Sequence, residues 1–389
     1  MRRLRVALVH PFSWPEVRRG AERYLHDLGW YLSGAGHEVH VITGTYDHPS
    51  VTDEVGVTTH RLRHRTRIPG VKHPFRPADT FGVVAMQALA AKRFDVVHAL
   101  TPTAAIGARL TGQRVVYTVL GHPTVEQFKQ RGGLSLQYFV RGVGAATTVT
   151  ALSQSAAHAT RHLTGRLPEI VAPGVRLDQF TPDLRPRVGP PRILFPADAA
   201  DARKGVDVTL AAVARLIDRR PDARLILAGP GDPSWATKGD GPHGPRAVAT
   251  LALGATDVLG VGELGEMPRR YRDATVTVLP SLHEAFGLVL AESMACGTPV
   301  VGSAAGGIAE VVDRPEVGAT VPYGDVAALA SALDHVIDLA ASPATPAHCA
   351  RHARRWDWKE VIGPAHENVY EATTASRRSF RIPAHDTCN

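Results

Sequence analysis

Residues 281–312 read Ser-Leu-His-Glu-Ala-Phe-Gly-Leu-Val-Leu-Ala-Glu-Ser-Met-Ala-Cys-Gly-Thr-Pro-Val-Val-Gly-Ser-Ala-Ala-Gly-Gly-Ile-Ala-Glu-Val-Val. Two carboxylates, Glu284 and Glu292, stand eight positions apart around a short Phe286-Gly287 loop. An apolar helix is expected from Leu288 to Ala295, then a Gly-Thr-Pro turn and a strand at Val300-Val301. A Gly-Gly loop, Gly306-Gly307, leads to a third carboxylate, Glu310. Backbone amides at a helix start hold phosphate, and carboxylates hold hydroxyl groups. The order suits a ligand that carries both.

A helix rises about 1.5 Å per residue, so this spacing predicts roughly 12 Å between the two carboxylates. That is about the span of a sugar nucleotide from its sugar, across the diphosphate, to the ribose. The helix start at Gly287 offers unpaired N–H groups and a positive dipole end to the diphosphate. Gly287 lets backbone approach closely. Glu284 then fits the donor sugar and Glu292 the ribose. A bare pair of glutamates at this spacing is otherwise a cap and a surface residue. The Phe-Gly, Cys-Gly-Thr-Pro and Gly-Gly-Ile-Ala-Glu pieces in order set this one apart.

At 389 residues the chain is too long for one ordinary core and suits two α/β domains. Apolar content of 44% and charged content of 21% are those of a soluble globular protein. No apolar run approaches the ~18 residues of a membrane span. The basic start is followed by too few apolar residues for a secretory signal and reads as a first buried strand. Three scattered cysteines make neither a disulfide framework nor a metal site. The expected location is the cytoplasm. Net charge is +7. Arg61, Arg63, Arg65, Arg67, Lys72 and Arg76 cluster within 61–76 as a solvated face, or as a surface for an anionic membrane or an acidic acceptor. No nucleic-acid motif is present.

Short apolar runs at Arg5–Val9, Glu38–Ile42, Asp95–Ala99, Arg114–Val119 and Thr147–Leu152 alternate with amphipathic stretches, the pattern of a parallel sheet covered by helices. The pattern restarts at Ile193–Pro196, Arg224–Ala228, Asp257–Leu259, Val276–Leu279 and Pro299–Gly302. Between the halves lies a Pro-rich stretch. The expected division is an N-terminal domain at 1–183, a linker at 184–192 and a C-terminal domain at 193–350. Closing helices at 351–373 return to the first domain, and a loose tail follows at 374–389. The segment from Cys349 to Thr373 reads as one closing helix. Two such halves put a cleft at the carboxyl ends of their strands.

With these pieces in place the sequence resembles the retaining glycosyltransferases of the GT-B fold, family four, over roughly residues 4–373. The strongest part runs from Asp273 through Glu310. Supporting pieces are Gly20-Ala21-Glu22, Asp95-Val-Val-His98, Ala151-Leu-Ser153, Pro173-Gly-Val175, Lys204-Gly-Val-Asp207 and Val261-Gly-Glu-Leu264. The resemblance implies two Rossmann-like α/β/α domains with parallel sheets facing across a cleft. It implies that Glu284 binds donor-sugar hydroxyls, with the loop His283, Ala285, Phe286, Gly287 and Leu288 at the donor, and that Glu292 binds the ribose. Lys204 would neutralise the diphosphate and the leaving group. Gly20 would let the first loop approach the phosphates or the acceptor, and His122 would come from the N-terminal domain toward the reacting sugar. Gly262, Glu263 and Leu264 would lie at the nucleobase.

The chain departs from the family pattern at three places. The usual Gly-Arg after the strand at Ile193–Pro196 is replaced by a stretch containing Asp198, and Arg203 is expected to serve the diphosphate instead. The first-loop Gly-Gly is Arg19-Gly20, so Arg18 or Arg19 is placed to reach an anion. The usual Asn-Gly-Val-Asp ends in Arg176. No Asp-x-Asp pair is present, so neither metal nor cofactor is expected. The resemblance implies retention by front-face displacement, with neither glutamate a nucleophile. The expected reaction moves a sugar from a UDP- or GDP-sugar to a small polar acceptor, such as an aminocyclitol or other natural product of a high-GC actinobacterium. Alternatives are a lipid-directed mannosyltransferase peripheral at the inner membrane face, and a nucleotide-sugar 2-epimerase.

Overall fold

The computed structural model describes residues 2–17, 19–64, 77–132, 134–185, 187, 189–232, 254–260 and 264–376. Arg18, residues 65–76, Gly262, Glu263, Cys388 and the tail beyond 376 lie outside them.

The first sheet contains β1 (Arg5–Val9), β2 (Glu38–Thr45), β3 (Ser50–Glu54), β4 (Val57–Arg63), β5 (Val96–Ala99), β6 (Val115–Val119), β7 (Thr148–Ala151) and β8 (Glu169–Ile170). The second contains β9 (Arg192–Phe195), β10 (Arg224–Leu227), β11 (Thr256–Val258), β12 (Val276–Leu279), β13 (Val300–Ser303) and β14 (Gly318–Val321). Their orders are β3-β4-β2-β1-β5-β6-β7-β8 and β11-β10-β9-β12-β13-β14. Among the described residues only β3 runs antiparallel to its neighbour; the other pairs are parallel.

The strand β1 shows why these segments are strands. Val6 and Leu8 point into one core and Ala7 and Val9 into the other, all with no exposed surface. Period-two alternation with apolar residues on both faces is what a sheet covered on both sides requires. Helix Gly20–Gly34 covers one face with Tyr24, Leu25, Leu28 and Leu32. Helices Pro77–Ala90, Pro102–Leu110 and Ser135–Ala145 supply Phe81, Ala85, Ala104, Ala105, Phe139 and Val143 to the other.

The strand order reverses beside β1 in the first sheet and beside β9 in the second. Crevices open at such switch points, outside the carboxyl ends of the strands. The loops after β1, β6, β9 and β12 therefore meet where a ligand would be held.

The C-terminal segment is not the single helix expected from Cys349 to Thr373. It is broken into Thr345–Ala353, short turns at Arg354–Trp356 and Trp358–Ile362, and Gly363–Ala375. The break has a physical cause. Asp357 leaves helical geometry and pairs with Val175, whose N–H donates to the Trp356 carbonyl at 2.6 Å and whose carbonyl accepts from Trp358 at 3.2 Å. The Trp358 ring fills the space where a Cβ at Gly174 would stand. Gly363–Ala375 then packs on the first sheet, where the His98 ring bonds Tyr370 Oη at 2.7 Å and the His37 ring bonds Glu367 at 3.0 Å.

Candidate active site

The loop after β12 begins the motif that runs from Ser281 to Glu310. Helix Leu288–Ala295 starts where expected, at Gly287, whose φ of 98° lies in the left-handed region that glycine enters freely. Only Glu292 lies on this helix; Glu284 sits in the loop before it. The helical rise therefore does not set the separation of the two carboxylates, a correction to the spacing argument. The Gly-Gly loop explains why the motif extends to residue 310. Gly307 N–H donates to the Glu284 carbonyl at 2.8 Å, and a Cβ at Gly306 would collide with that same carbonyl. Glycine there lets one loop lie flat against the back of the other.

Lys204 ends a short turn, Ala202–Lys204, after β9. That turn is pinned to the β12 loop: the Arg203 carbonyl accepts from Leu282 N–H at 2.7 Å and from Ser281 Oγ at 3.1 Å. The pinning delivers Lys204 Nζ to 2.6 Å from Glu284 Oε2, which Ser281 Oγ also approaches at 3.2 Å. Arg203 lines the same space, but its Nε donates to Asp201 at 3.0 Å, so its charge is partly engaged. Asp198, in place of the family arginine, accepts from Ala200 N–H at 2.9 Å. Arg176 does not reach the cleft; it pairs with Asp178 at 2.9 Å and lies 3.5 Å over the Trp30 ring.

Glu292 is buried, with 6% exposure. Tyr271 Oη donates to its Oε2 at 3.1 Å, and Arg23 of the first domain stands 3.6 Å from Oε1. Burial pushes the Glu292 carboxyl above its ordinary range, while the Arg23 charge and the Tyr271 hydroxyl draw it back. Burial also pushes the Tyr271 phenol well above its ordinary value, with the neighbouring Glu292 charge adding to it.

Lys204, Arg203, Glu284, Gly287, Leu288 and Glu292 share one cleft of about 410 Å³ with Arg19, Gly20 and Arg23 of the first domain. A second cavity of about 170 Å³ adjoins it, sharing Arg203, Lys204 and Glu284 and adding His122, Gln127, Ser281 and His283. The His122 ring lies nearly parallel to that of His283, at 18° with centroids 5.7 Å apart. His283 holds a positive φ of 58°, a strained conformation that turns its ring toward the other domain. His122 Nε2 bonds Ser155 Oγ at 3.0 Å, and its buried Nδ1 has no hydrogen-bond partner among the described residues. Burial first, and His283 second, lower its proton affinity, so His122 is neutral near pH 7.

The structure thus brings Glu284, Glu292, Lys204, Arg203, His122, His283, Gly20, Gly287 and Leu288 together. Ala285 is buried but lines the second cavity, and Phe286 is buried beneath the loop, edge-on to Trp356 at 5.4 Å. Leu264 begins a short turn whose backbone alone is described, and Gly262 and Glu263 lie outside the described residues. Arg61 of the basic cluster is bonded to Glu16 at 2.9 Å. Sequence reading missed Arg23, Tyr271, Ser155 and Gln127, which reach the site from helices whose sequences carry no separate signal.

Two parallel α/β halves that close a carboxylate-lined and lysine-lined cleft define the GT-B class. Comparison with known proteins agrees. The model described as Glycosyltransferase Family 4 matches residues 18–179, and that described as Glycosyl transferases group 1 matches residues 190–338. The chain belongs to this family of glycosyltransferases. It is 36% identical over 236 residues to a D-inositol 3-phosphate glycosyltransferase of Streptomyces scabiei, covering 56% of this chain and 51% of that one. The corresponding protein of Thermobispora bispora is 36% identical over 233 residues, 55% and 53% of the two chains. The chain thus spans about half the length of the curated relatives it matches. Among solved structures, the sucrose-phosphate synthase of Thermosynechococcus elongatus superposes with a TM-score of 0.78 at 26% identity, covering 95% of this chain and 99% of that one. Anabaena Alr3699/HepE, in complex with UDP and glucose, gives 0.72 at 18% identity, covering 95% and 100%.

Proposed function

We propose that the protein transfers a sugar, with retention, from a nucleoside-diphosphate sugar to a hydroxyl of a small polar acceptor. The carrying observation is the convergence of Lys204, Glu284, Glu292 and the start of helix Leu288–Ala295 on one cleft. In this reading Glu292 holds the ribose, the helix start and Lys204 hold the diphosphate, and Glu284 holds hydroxyls of the donor sugar. Arg203 contributes from the rim. The bond from the anomeric carbon to phosphate breaks as the bond to the acceptor oxygen forms on the same face. The acceptor proton passes to the departing phosphate oxygen. Lys204 stabilises the growing negative charge without a metal ion. That UDP and UDP-glucose are bound in the Alr3699/HepE structures supports a nucleotide-sugar donor.

In this reading the acceptor occupies the adjoining cavity. Its lining of His122, Gln127, Ser281 and His283 offers hydroxyl, amide and imidazole partners for hydroxyl groups, and its two cations are engaged by Glu284 and Asp201. A cyclitol or sugar hydroxyl fits this chemistry, in keeping with the inositol phosphate named for the relatives.

The test is thermal stabilisation by UDP-, GDP-, ADP- and TDP-glucose, with Glu292→Ala as control. A ligand at 100 times its dissociation constant adds about 2.7 kcal/mol, a shift of several degrees. A shift with one nucleotide, lost in the variant, identifies the donor base. No shift with any of them removes the donor-site reading.

A further inference from the structure

We infer that Arg23 is a positioning residue that keeps Glu292 ionised and aimed at the donor, so that the N-terminal domain completes the nucleotide site. The inference rests on the donor-site reading above.

Arg23 closes the first turn of helix Gly20–Gly34, in the domain opposite Glu292, and is itself 8% exposed. Its guanidinium is fixed from three sides. Nε donates to Asp27 Oδ2 at 2.7 Å one helical turn on, the Phe180 ring lies 5.3 Å from its central carbon, and Nη2 stands 3.6 Å from Glu292 Oε1. A planar fork with one edge bonded to Asp27 presents its other edge in one direction only. At 3.6 Å the contact with Glu292 is an ion pair and not a hydrogen bond. Glu292 Oε2 is taken by Tyr271, whereas Oε1 accepts no hydrogen bond among the described residues. Arg23 thus supplies charge to Oε1 while leaving its lone pairs for a ribose hydroxyl.

The electrostatics give the role a direction. Facing Glu292 are Arg23 and Asp27 from the first domain, Tyr271 from helix Met267–Asp273, and the buried Cys296 from the end of its own helix. Around the shared cleft stand Lys204, Glu284, Arg203, Asp201, Asp198 and Arg19. Burial and Asp27 favour a protonated Glu292; Arg23 opposes them, more strongly than Tyr271 does. A protonated Glu292 would lose much of its capacity to accept from a ribose hydroxyl.

The experiment measures equilibrium binding of whichever of UDP-, GDP-, ADP- and TDP-glucose stabilises the chain, between about pH 5.5 and pH 8. Their esterified diphosphates do not titrate there. Wild type, Arg23→Gln, Arg23→Lys and Glu292→Gln are compared, each checked for a native melting transition. Wild-type affinity should change less than about threefold across the range. Arg23→Gln should bind nearly as well as wild type at pH 8 and weaken by about tenfold or more at pH 5.5, a shift of one pKa unit or more in Glu292. Arg23→Lys should restore most of the loss, and Glu292→Gln should be weak and flat. A flat wild-type-like profile for Arg23→Gln overturns the inference. A loss equal at every pH also overturns it, because that is the mark of a direct donor contact or a packing defect. If wild type binds none of the four, the donor-site reading falls first and takes this one with it.

Discussion

Ser155 donates its backbone N–H to Glu310 Oε1 at 2.8 Å, across the two domains. Gln154 N–H donates to the other oxygen at 2.9 Å, so one carboxylate of the second domain, on the short helix Ile308–Val311, caps helix Gln154–Thr164 of the first. Capping carboxylates are typically worth about 1 kcal/mol, and the positive helix end favours the charge. Glu310→Ala should lower the melting temperature by about 2 °C. It should also lower turnover, since Ser155 holds His122. Calorimetry and initial rates with the identified donor check both, and unchanged values would remove the cap from the mechanism.

In the proposed reading the Lys204 ammonium faces the leaving diphosphate. Lys204→Ala should reduce kcat by about 10²- to 10³-fold, the usual loss on removing one fixed charge-stabilising donor. The fold should survive, because Lys204 is on the cleft surface. Steady-state rates beside a melting curve test this; a loss in KM alone would place Lys204 at ground-state binding.

In the proposed reading His122 belongs to the acceptor side. His122→Ala should leave donor binding within about threefold and lower turnover about tenfold or more, within the range of a lost hydrogen bond in the transition state. Donor titration by calorimetry and turnover with a cyclitol acceptor panel separate the two. Weakened donor binding with normal turnover would move His122 to the donor side.

Stability should fall in mild acid. Burial holds His10 and His366 down to about 4 and lowers His98 well below its ordinary value. Tyr24 Oη–H donates to His366 Nε2 at 2.6 Å and His366 Nδ1–H donates to the Ile362 carbonyl at 2.9 Å, an arrangement only the neutral ring can make. Between about pH 6.5 and pH 4 the unfolded chain binds protons that the folded chain refuses, so stability is full above about pH 6.5 and is lost as the pH drops. Each of His10 and His366 costs on the order of 3 kcal/mol by pH 4. Urea midpoints at pH 7.5, 5.5 and 4.5 measure the slope; a flat series would mean the rings accept protons in place.

Both sheets were largely legible as apolar runs, because a strand buried on both faces must be apolar along its length. Val276–Leu279 and helix Leu288–Ala295 stand where the residues placed them. The edge strands β3, β8 and β14, and β4 beside β3, were not read. The Ser-Val-Thr-Asp-Glu of β3 is exposed and the Gly-Ala-Thr-Val of β14 is short, and neither carries an apolar run. The broken C-terminal helix was invisible for another reason: nothing near Asp357 signals that Val175 will pair with it.

The motif from residue 281 to 310 is self-contained. Its glycines, its loop and the helix that bears Glu292 lie close together in the chain, so their geometry is written into local spacing, and so are the class of fold and the pair of carboxylates. The charge environment is not local. Arg23 meets Glu292, Glu310 meets Ser155 from 155 residues away, and His122 lies against His283 only when two separate sheets close on one cleft. Coulomb energy and burial depend on distances through space, and only the tertiary structure supplies those.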